Sequence, residues 1–223
     1  PTDLKDRLHF DSEEGVKGLG LASVALGGNL PHDPTAFKMP EKRWSGTPQA
    51  GGEAKEENPR TITINSGGAE GADSAWEAGI TDPSTQKLVG HAFEGQSYYS
   101  NYSNRRLHPN ETIEENQEKY EEAFEWLKSH GTKSRLITTE GKTDPEDVSR
   151  AEYSLKLQGR NYEQVRNSDA VLAVVEEFQG RAPAGGTGVA VAMGILENKP
   201  VHVYDLANDS WVTYSSETDS WSV

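Results

Sequence analysis

An α/β domain with a mostly parallel sheet and helices on both faces is predicted by three features of this chain. Runs of strand-forming residues alternate with helical patterns from Thr61 onward. Two of those runs are followed by glycine-rich turns that lead into helices, Thr61–Asn65 directly and Ala170–Val175 after a loop. Helical crossovers separate the strands, the connection that parallel strands need.

The first element is the β-branched strand Thr61-Ile62-Thr63-Ile64-Asn65, which runs into Ser66-Gly67-Gly68-Ala69-Glu70-Gly71-Ala72-Asp73. A helix over 71–80 follows, with Asp73 and Ser74 in its first turn. Lys87 to Phe93 reads as a second strand, and Tyr98 to Arg106 as a polar aromatic loop. The spacing predicts a helix over Thr112–His130. Ile113, Tyr120, Phe124 and Leu127 share a face, Thr112 and Glu115 suit an N-terminal capping box, and Gly131 suits the exit. Asp147 to Leu157 and Asn161 to Asn167 are helical segments before the strand 170–175. The second turn, Gly185-Gly186-Thr187-Gly188, opens a helix over 187–197 whose small residues permit close packing on a sheet. Pro200 to Tyr204 is the final strand expected, and no internal repeat is read beyond the likeness of the two turns.

Residues 1–60 read as an N-terminal arm and 61–223 as the domain. Leu19 to Leu26 is the arm's one sizeable apolar stretch, and Asn29 to Arg60 is dense in proline, glycine and charge. With 223 residues and 33% hydrophobic content, the chain has a core to build mainly after Thr61. The net charge of −14 opposes non-specific nucleic-acid binding, since a phosphate backbone would be repelled. Much of the acidity falls in Glu111 to Glu125, a solvated helix face. The absence of cysteine excludes disulfides, thiolate metal sites and a cysteine nucleophile. No metal site is expected, because His32, Asp33 and His91 lack ligand spacing. No run spans a bilayer and no signal pattern opens the chain, so a cytoplasmic protein without a membrane partner is expected.

Strand, glycine turn and helix N-terminus together present backbone N–H groups to an anion, usually a phosphate. Gly67, Gly68 and Gly71 allow close approach of backbone to ligand, and Ser66 offers a hydroxyl. Asp73 suits a helix cap or a ribose hydroxyl. At the second turn Gly185, Gly186 and Gly188 repeat the device, and Thr187 brings a hydroxyl to the helix N-terminus. Either turn alone equally suits tight helix–sheet packing; the pair points to a nucleotide or sugar-phosphate cleft.

Ser66-Gly67-Gly68-Ala69-x-Gly71-Ala72-Asp73, Asn167-x-Asp169-Ala170-Val171-Leu172-Ala173-Val174, Gly185-Gly186-Thr187-Gly188 and Lys199-Pro200-Val201-x-Val203 together resemble the SLOG superfamily. This Rossmann-like group includes DNA-processing proteins, the Lonely Guy cytokinin-activating phosphoribohydrolases and molybdenum-cofactor carrier proteins. The likeness covers about residues 61–214, and lies nearest bacterial and phage members with an Arg-Asn pair, here Arg160-Asn161. It implies a cleft for a nucleotide or nucleotide-derived ligand of the ADP-ribose kind, held by a sensor or sequestering protein. It also implies a homo-oligomer. In that setting Arg160 would fork onto a phosphate and Asn161 would bond a base or ribose. Pairing of Arg160 with a surface carboxylate and helix capping by Asn161 are the plainer alternatives. The loop Tyr98 to Arg106 would add a stacking ring and a phosphate contact, or lie in solvent, and Trp211 would seal the sheet edge.

Phosphoribohydrolases of the group carry a catalytic Glu after the second turn; here that stretch reads Val189-Ala190-Val191-Ala192. An N-glycosidase would therefore need Glu176, Glu177 or Asp73 as its carboxylate, and an exposed acidic loop is the plainer reading of the glutamates. A structural or interaction protein with a vestigial cleft is the third reading.

Overall fold

The computed structural model describes residues 21–26, 62–67, 73, 80, 82–96 and 105–223. Among them are strands β1 (Leu21–Leu26), β2 (Ile62–Ser66), β3 (Gln86–Phe93), β4 (Arg105–His108), β5 (Ala170–Val175), β6 (Val201–Asp205), β7 (Ser210–Ser215) and β8 (Ser220–Ser222). The helices are α1 (Asn110–Glu115), α2 (Gln117–Ser129), α3 (Pro145–Arg166) and α4 (Gly185–Leu196). The strands form a sheet in the order β4-β3-β2-β1-β5-β6-β7-β8. β2, β3 and β4 are mutually parallel, as are β5 and β6, so the fold is α/β.

β1 runs antiparallel between β2 and β5, with Ala22 beside Ser66 and Leu21 beside Ala173. The apolar hexapeptide Leu21–Leu26, assigned above to the arm, is thus a central strand of the domain. The rest of 1–60 lies outside the described residues, as does the helix expected over 71–80 apart from Asp73, which is helical.

β5 follows its expected bounds and is buried at every position. Val171, Ala173, Val201 and Val203 pack with Val189, Ala190, Val191 and Met193 of α4 into the core. Gly194 lets α4 approach closely: a Cβ there would lie 2.6 Å from Val171 Cγ2. Predicted helical segments 147–157 and 161–167 are one helix, α3, capped by the Asp144 carboxylate on the N–H groups of Glu146 and Asp147. Its Gly159 permits contact with α1, since a Cβ there would sit 2.5 Å from the Ile113 carbonyl oxygen. The ammonium of Lys199 donates to the carbonyls of Val165 (2.7 Å) and Arg166 (3.2 Å), closing the negative end of α3.

The helix expected over 112–130 is broken into α1 and α2 at Asn116. It starts after Pro109 rather than at Thr112, and the Asn116 amide is drawn away to Gly159 O and Glu163. Gly131 ends α2 with φ +73°. Its N–H reaches Lys128 O (3.2 Å) and that of Thr132 reaches Leu127 O (2.9 Å), the paired bonds of a Schellman exit.

Beyond β6 the chain makes two further antiparallel strands that sequence reading did not anticipate. They contain a ten-residue repeat: Tyr204, Asp209, Ser210 and Trp211 recur as Tyr214, Asp219, Ser220 and Trp221. Each Asp takes positive φ, 52° and 48°, and accepts a hydrogen bond from its repeat's Tyr hydroxyl. Each Tyr meets its Trp at 5.1 Å and 5.2 Å between ring centroids. Trp211 is therefore a hairpin residue, and β8, not β7, forms the sheet edge.

Candidate functional site

Chain direction reverses its march across the sheet at β1. From β2 the next parallel strand lies on one side, and from β5 on the other. The carboxyl ends of β2 and β5 therefore flank a switch point of the sheet, where α/β folds form their ligand crevice. Gly67, the first glycine of the first turn, directly follows β2, and the second turn opens α4 after the loop that leaves β5.

α3 lies against Gly67 and Gly186. Gly67 directly follows β2, and a Cβ on it would come within 1.7 Å of Arg160 Nη1 and 2.6 Å of Cζ. Glycine at 67 is thus what makes room for the guanidinium. At the second turn a Cβ on Gly186 would meet Gln158 Nε2 at 3.3 Å and Asn161 Nδ2 at 4.0 Å. Arg160 faces the first turn, and the amides of Gln158 and Asn161 face the second. Arg160 is 5% exposed, yet its Nε and Nη1 meet no acceptor among the described residues. Burying charged donors that find no acceptor carries a penalty on the order of several kcal/mol. Buried donors are otherwise almost always satisfied.

The second turn opens α4 without help from a side chain: its N-cap is Ala184, which makes no capping hydrogen bond. The positive end of that helix is left to its own N–H groups. Gly185 has φ +71°, the left-handed region that favours glycine. Gly188 packs against backbone, since a Cβ there would lie 1.8 Å from Pro183 O.

Next to Arg160 runs a buried polar chain that sequence reading missed. Asn65 Nδ2 donates to Ser168 Oγ (2.8 Å) and Asn167 O (3.2 Å), and Asn65 Oδ1 lies 2.9 Å from His91 Nε2. His91 Nδ1 is 3.0 Å from His108 Nε2, with the rings stacked at 5.1 Å. His108 Nδ1 is 3.5 Å from Glu163 Oε2. Glu163 Oε1 accepts from Asn116 Nδ2 (2.9 Å) and pairs with Arg166 Nη1 (3.1 Å). Burial, with His108, Arg106 and Arg160 adding to it, pushes the His91 pKa down to about 3. Burial also lowers His108, against the opposing pull of Glu163. The available signal was weak: single His, Asn and Glu residues on separate elements carry no spacing pattern.

The other expected site residues distribute as follows. Ser66, Asp73, Asn161 and Thr187 are buried. Gly68 lies outside the described residues, as does the loop from Tyr98 to Asn104. Arg105 and Arg106, expected in that loop, are on β4, and the Arg106 guanidinium donates to Asn167 Oδ1 at 2.8 Å. Arg160 is buried and pairs with no carboxylate among the described residues, and Asn161 lies inside α3 rather than capping a helix. Glu177 is exposed on the loop after β5, where it borders a cavity of about 330 Å³ with Glu176, Phe178 and Ala184. No helix among the described residues is long and apolar enough to cross a membrane.

No family model, no curated protein and no solved structure matches this chain.

Proposed function

We propose that this chain binds a phosphorylated nucleotide or nucleotide-derived ligand of the ADP-ribose kind at the carboxyl ends of β2 and β5. The observation that carries the reading is Arg160: a buried guanidinium with unmet donors, laid against the one residue type that leaves it room. A phosphate oxygen pair matches the fork of an arginine. The backbone N–H of Gly67 and the uncapped N-terminus of α4 supply further donors of the same sign. The amides of Gln158 and Asn161 bond the sugar or base beyond the phosphates. The role is that of a sensor or sequestering protein in the SLOG superfamily, cytoplasmic and assembled from copies of itself.

The glycosidase alternative draws no comparable support. Val189 to Ala192, where phosphoribohydrolases carry their Glu, are apolar and buried, and Glu177 is exposed.

Calorimetric titration with ADP-ribose, set beside AMP and inorganic pyrophosphate, tests the reading. Binding by the full chain is expected, with Arg160→Gln weakening it at least tenfold. Absence of binding across that panel by a folded full chain overturns it.

A further inference from the structure

The hydrogen bonds around His91 and His108 fix where protons sit. Asn65 Nδ2 faces a backbone carbonyl, Asn167 O, which only accepts, so Asn65 Oδ1 is the atom turned toward His91. Ser168 agrees, because its hydroxyl proton is committed to Gln164 O at 2.7 Å and its oxygen accepts from Asn65. His91 must therefore donate from Nε2. Neutral His91 then has a bare Nδ1, which takes the Nε2 proton of His108. Neutral His108 is left with a bare Nδ1, facing the carboxylate oxygen Glu163 Oε2 across 3.5 Å. Two acceptors confront each other there. The other Glu163 oxygen already accepts from Asn116, whose Nδ2 also donates to Gly159 O, and from Arg166. A proton is missing from this one gap, and 3.5 Å is a separation that such a proton would shorten.

We infer that the gap between His108 Nδ1 and Glu163 Oε2 is a proton-binding site, and that anion binding at Arg160 fills it. The inference rests on the ligand reading given above and names how that site is regulated. Every charged group facing His108 enters the balance. Glu163 and Arg166 face it from α3, with Arg160 one turn away on the same helix; Arg106 faces it from β4, and His91 from β3 is neutral. Three cations thus oppose a proton that one carboxylate attracts. A phosphate on Arg160 cancels one of the three, and the proton becomes easier to hold. Reciprocity then requires that acid tighten the phosphate.

Histidine nitrogen NMR of the full chain tests the site without any ligand. Both imidazoles are expected as Nε2–H tautomers at pH 8, with His108 gaining a proton at Nδ1 on acidification. In Glu163→Gln the new amide donates to His108 Nδ1, accepts from Asn116 and Arg166, and removes that uptake. Arg160→Gln imitates the bound anion and shifts the His108 midpoint upward. A Nδ1–H tautomer at His108 at pH 8, or a midpoint unmoved in both variants, overturns the proposal.

Calorimetry with ADP-ribose at pH 6.5, in two buffers of different ionisation enthalpy, tests the coupling. ADP-ribose is chosen because its phosphates are diesters that do not titrate in this range. Proton uptake by the wild type and none by Glu163→Gln is expected, with affinity rising several-fold from pH 8 to pH 6. Binding with equal buffer dependence in both proteins overturns the coupling and leaves the ligand reading standing. If ADP-ribose fails to bind, the ligand reading and the coupling fall together, while the histidine spectra still decide the proton site.

Discussion

On one side of β1, strands β5 and β6 and helix α4 bury mainly valine and alanine: Val171, Ala173, Val191, Val201 and Val203 have no exposed surface. On the other side, β2, β3 and β4 meet the end of α3 through Asn65, Ser66, His91, His108, Glu163 and Arg160, all buried. Apolar packing is non-directional and limited by volume, so the first region gains stability from every well-filled contact. The second depends on orientation, and a buried polar group there costs free energy whenever its partner is missing. Stability is thus concentrated on the β5 side, and recognition chemistry on the β2 side. α3 touches both.

Alanine at two glycines separates these regions most sharply, because the overlaps are equal and the obstacles differ. At Gly188 the new Cβ meets the Pro183 carbonyl oxygen at 1.8 Å, and backbone cannot step aside. At Gly67 it meets Arg160 Nη1 at 1.7 Å, the far end of a flexible side chain. Gly188→Ala is expected to cost about 3 kcal/mol in urea unfolding. Gly67→Ala is expected to cost less than about 1 kcal/mol, because a side chain can change rotamer, and to abolish ADP-ribose binding. Equal stability losses in the two variants would erase the distinction drawn here.

Acid probes both regions through buried histidines, His91 and His108 on the β2 side and His202 on β6. His91 is pushed down to about 3 by burial and neighbouring cations, and His202, beside Thr213 Oγ1 at 2.9 Å, to about 4 by burial alone. A histidine whose folded pKa lies below its unfolded value of about 6.5 binds fewer protons when folded. Stability from each is therefore intact above pH 6.5 and falls as pH drops through the window toward 4. The loss at pH 4.5 is about 2.5 kcal/mol per histidine. Urea midpoints at pH 7 and pH 4.5 measure it. His202→Asn should remove its own share of the acid sensitivity; an unchanged pH dependence would remove His202 from the account.

Arg160 offers the converse measurement, a gain. Replacing a buried cation whose Nε and Nη1 meet no acceptor among the described residues with an apolar side chain of similar length relieves desolvation, so Arg160→Met is expected to raise stability by about 1 kcal/mol. The same change should eliminate ligand binding. A loss of stability in Arg160→Met would mean that the guanidinium holds the free fold together, and would move Arg160 from recognition to architecture.

The legibility of the sequence divides along the same line. β5, with six consecutive buried apolar residues, and α4, with its glycine-opened run of small residues, follow their expected positions within two residues at each end. Periodicity reports burial, and these elements are buried throughout. Arg160 and Asn161 were singled out by a resemblance rather than by periodicity, and the structure sets Arg160 beside Gly67 and Asn161 near Gly186. The His91–His108–Glu163 chain was not legible, because its members come from three elements and meet only after the sheet forms. β1 was hidden by its surroundings: five apolar residues and one serine inside a segment rich in glycine, proline and charge. The split at Asn116 was invisible for a related reason, since Gly159 and Glu163 lie more than forty residues away.

The β6–β8 repeat provides the smallest effect and a comparison internal to the molecule. Tyr204 and Tyr214 each donate to an aspartate five residues on, in hairpins of the same backbone shape. Tyr214 lies deeper among aromatic rings, with Trp221 at 5.2 Å and Trp126 at 5.9 Å, and burial together with Asp219 pushes its pKa up to about 12. Asp219 has a second partner, His130 Nε2 at 3.1 Å, which ties β8 back to the exit of α2. Asp209 has no such tie among the described residues. Tyr204→Phe should therefore cost only about half a kcal/mol, a single hydrogen bond at the surface. Tyr214→Phe should cost more, because it also loosens the Asp219 carboxylate that His130 holds. Hydrogen exchange at the β7–β8 pairing distinguishes them: faster exchange is expected in Tyr214→Phe and not in Tyr204→Phe. Equal exchange in both would make the two hairpins independent copies, with α2 playing no part in holding the sheet edge.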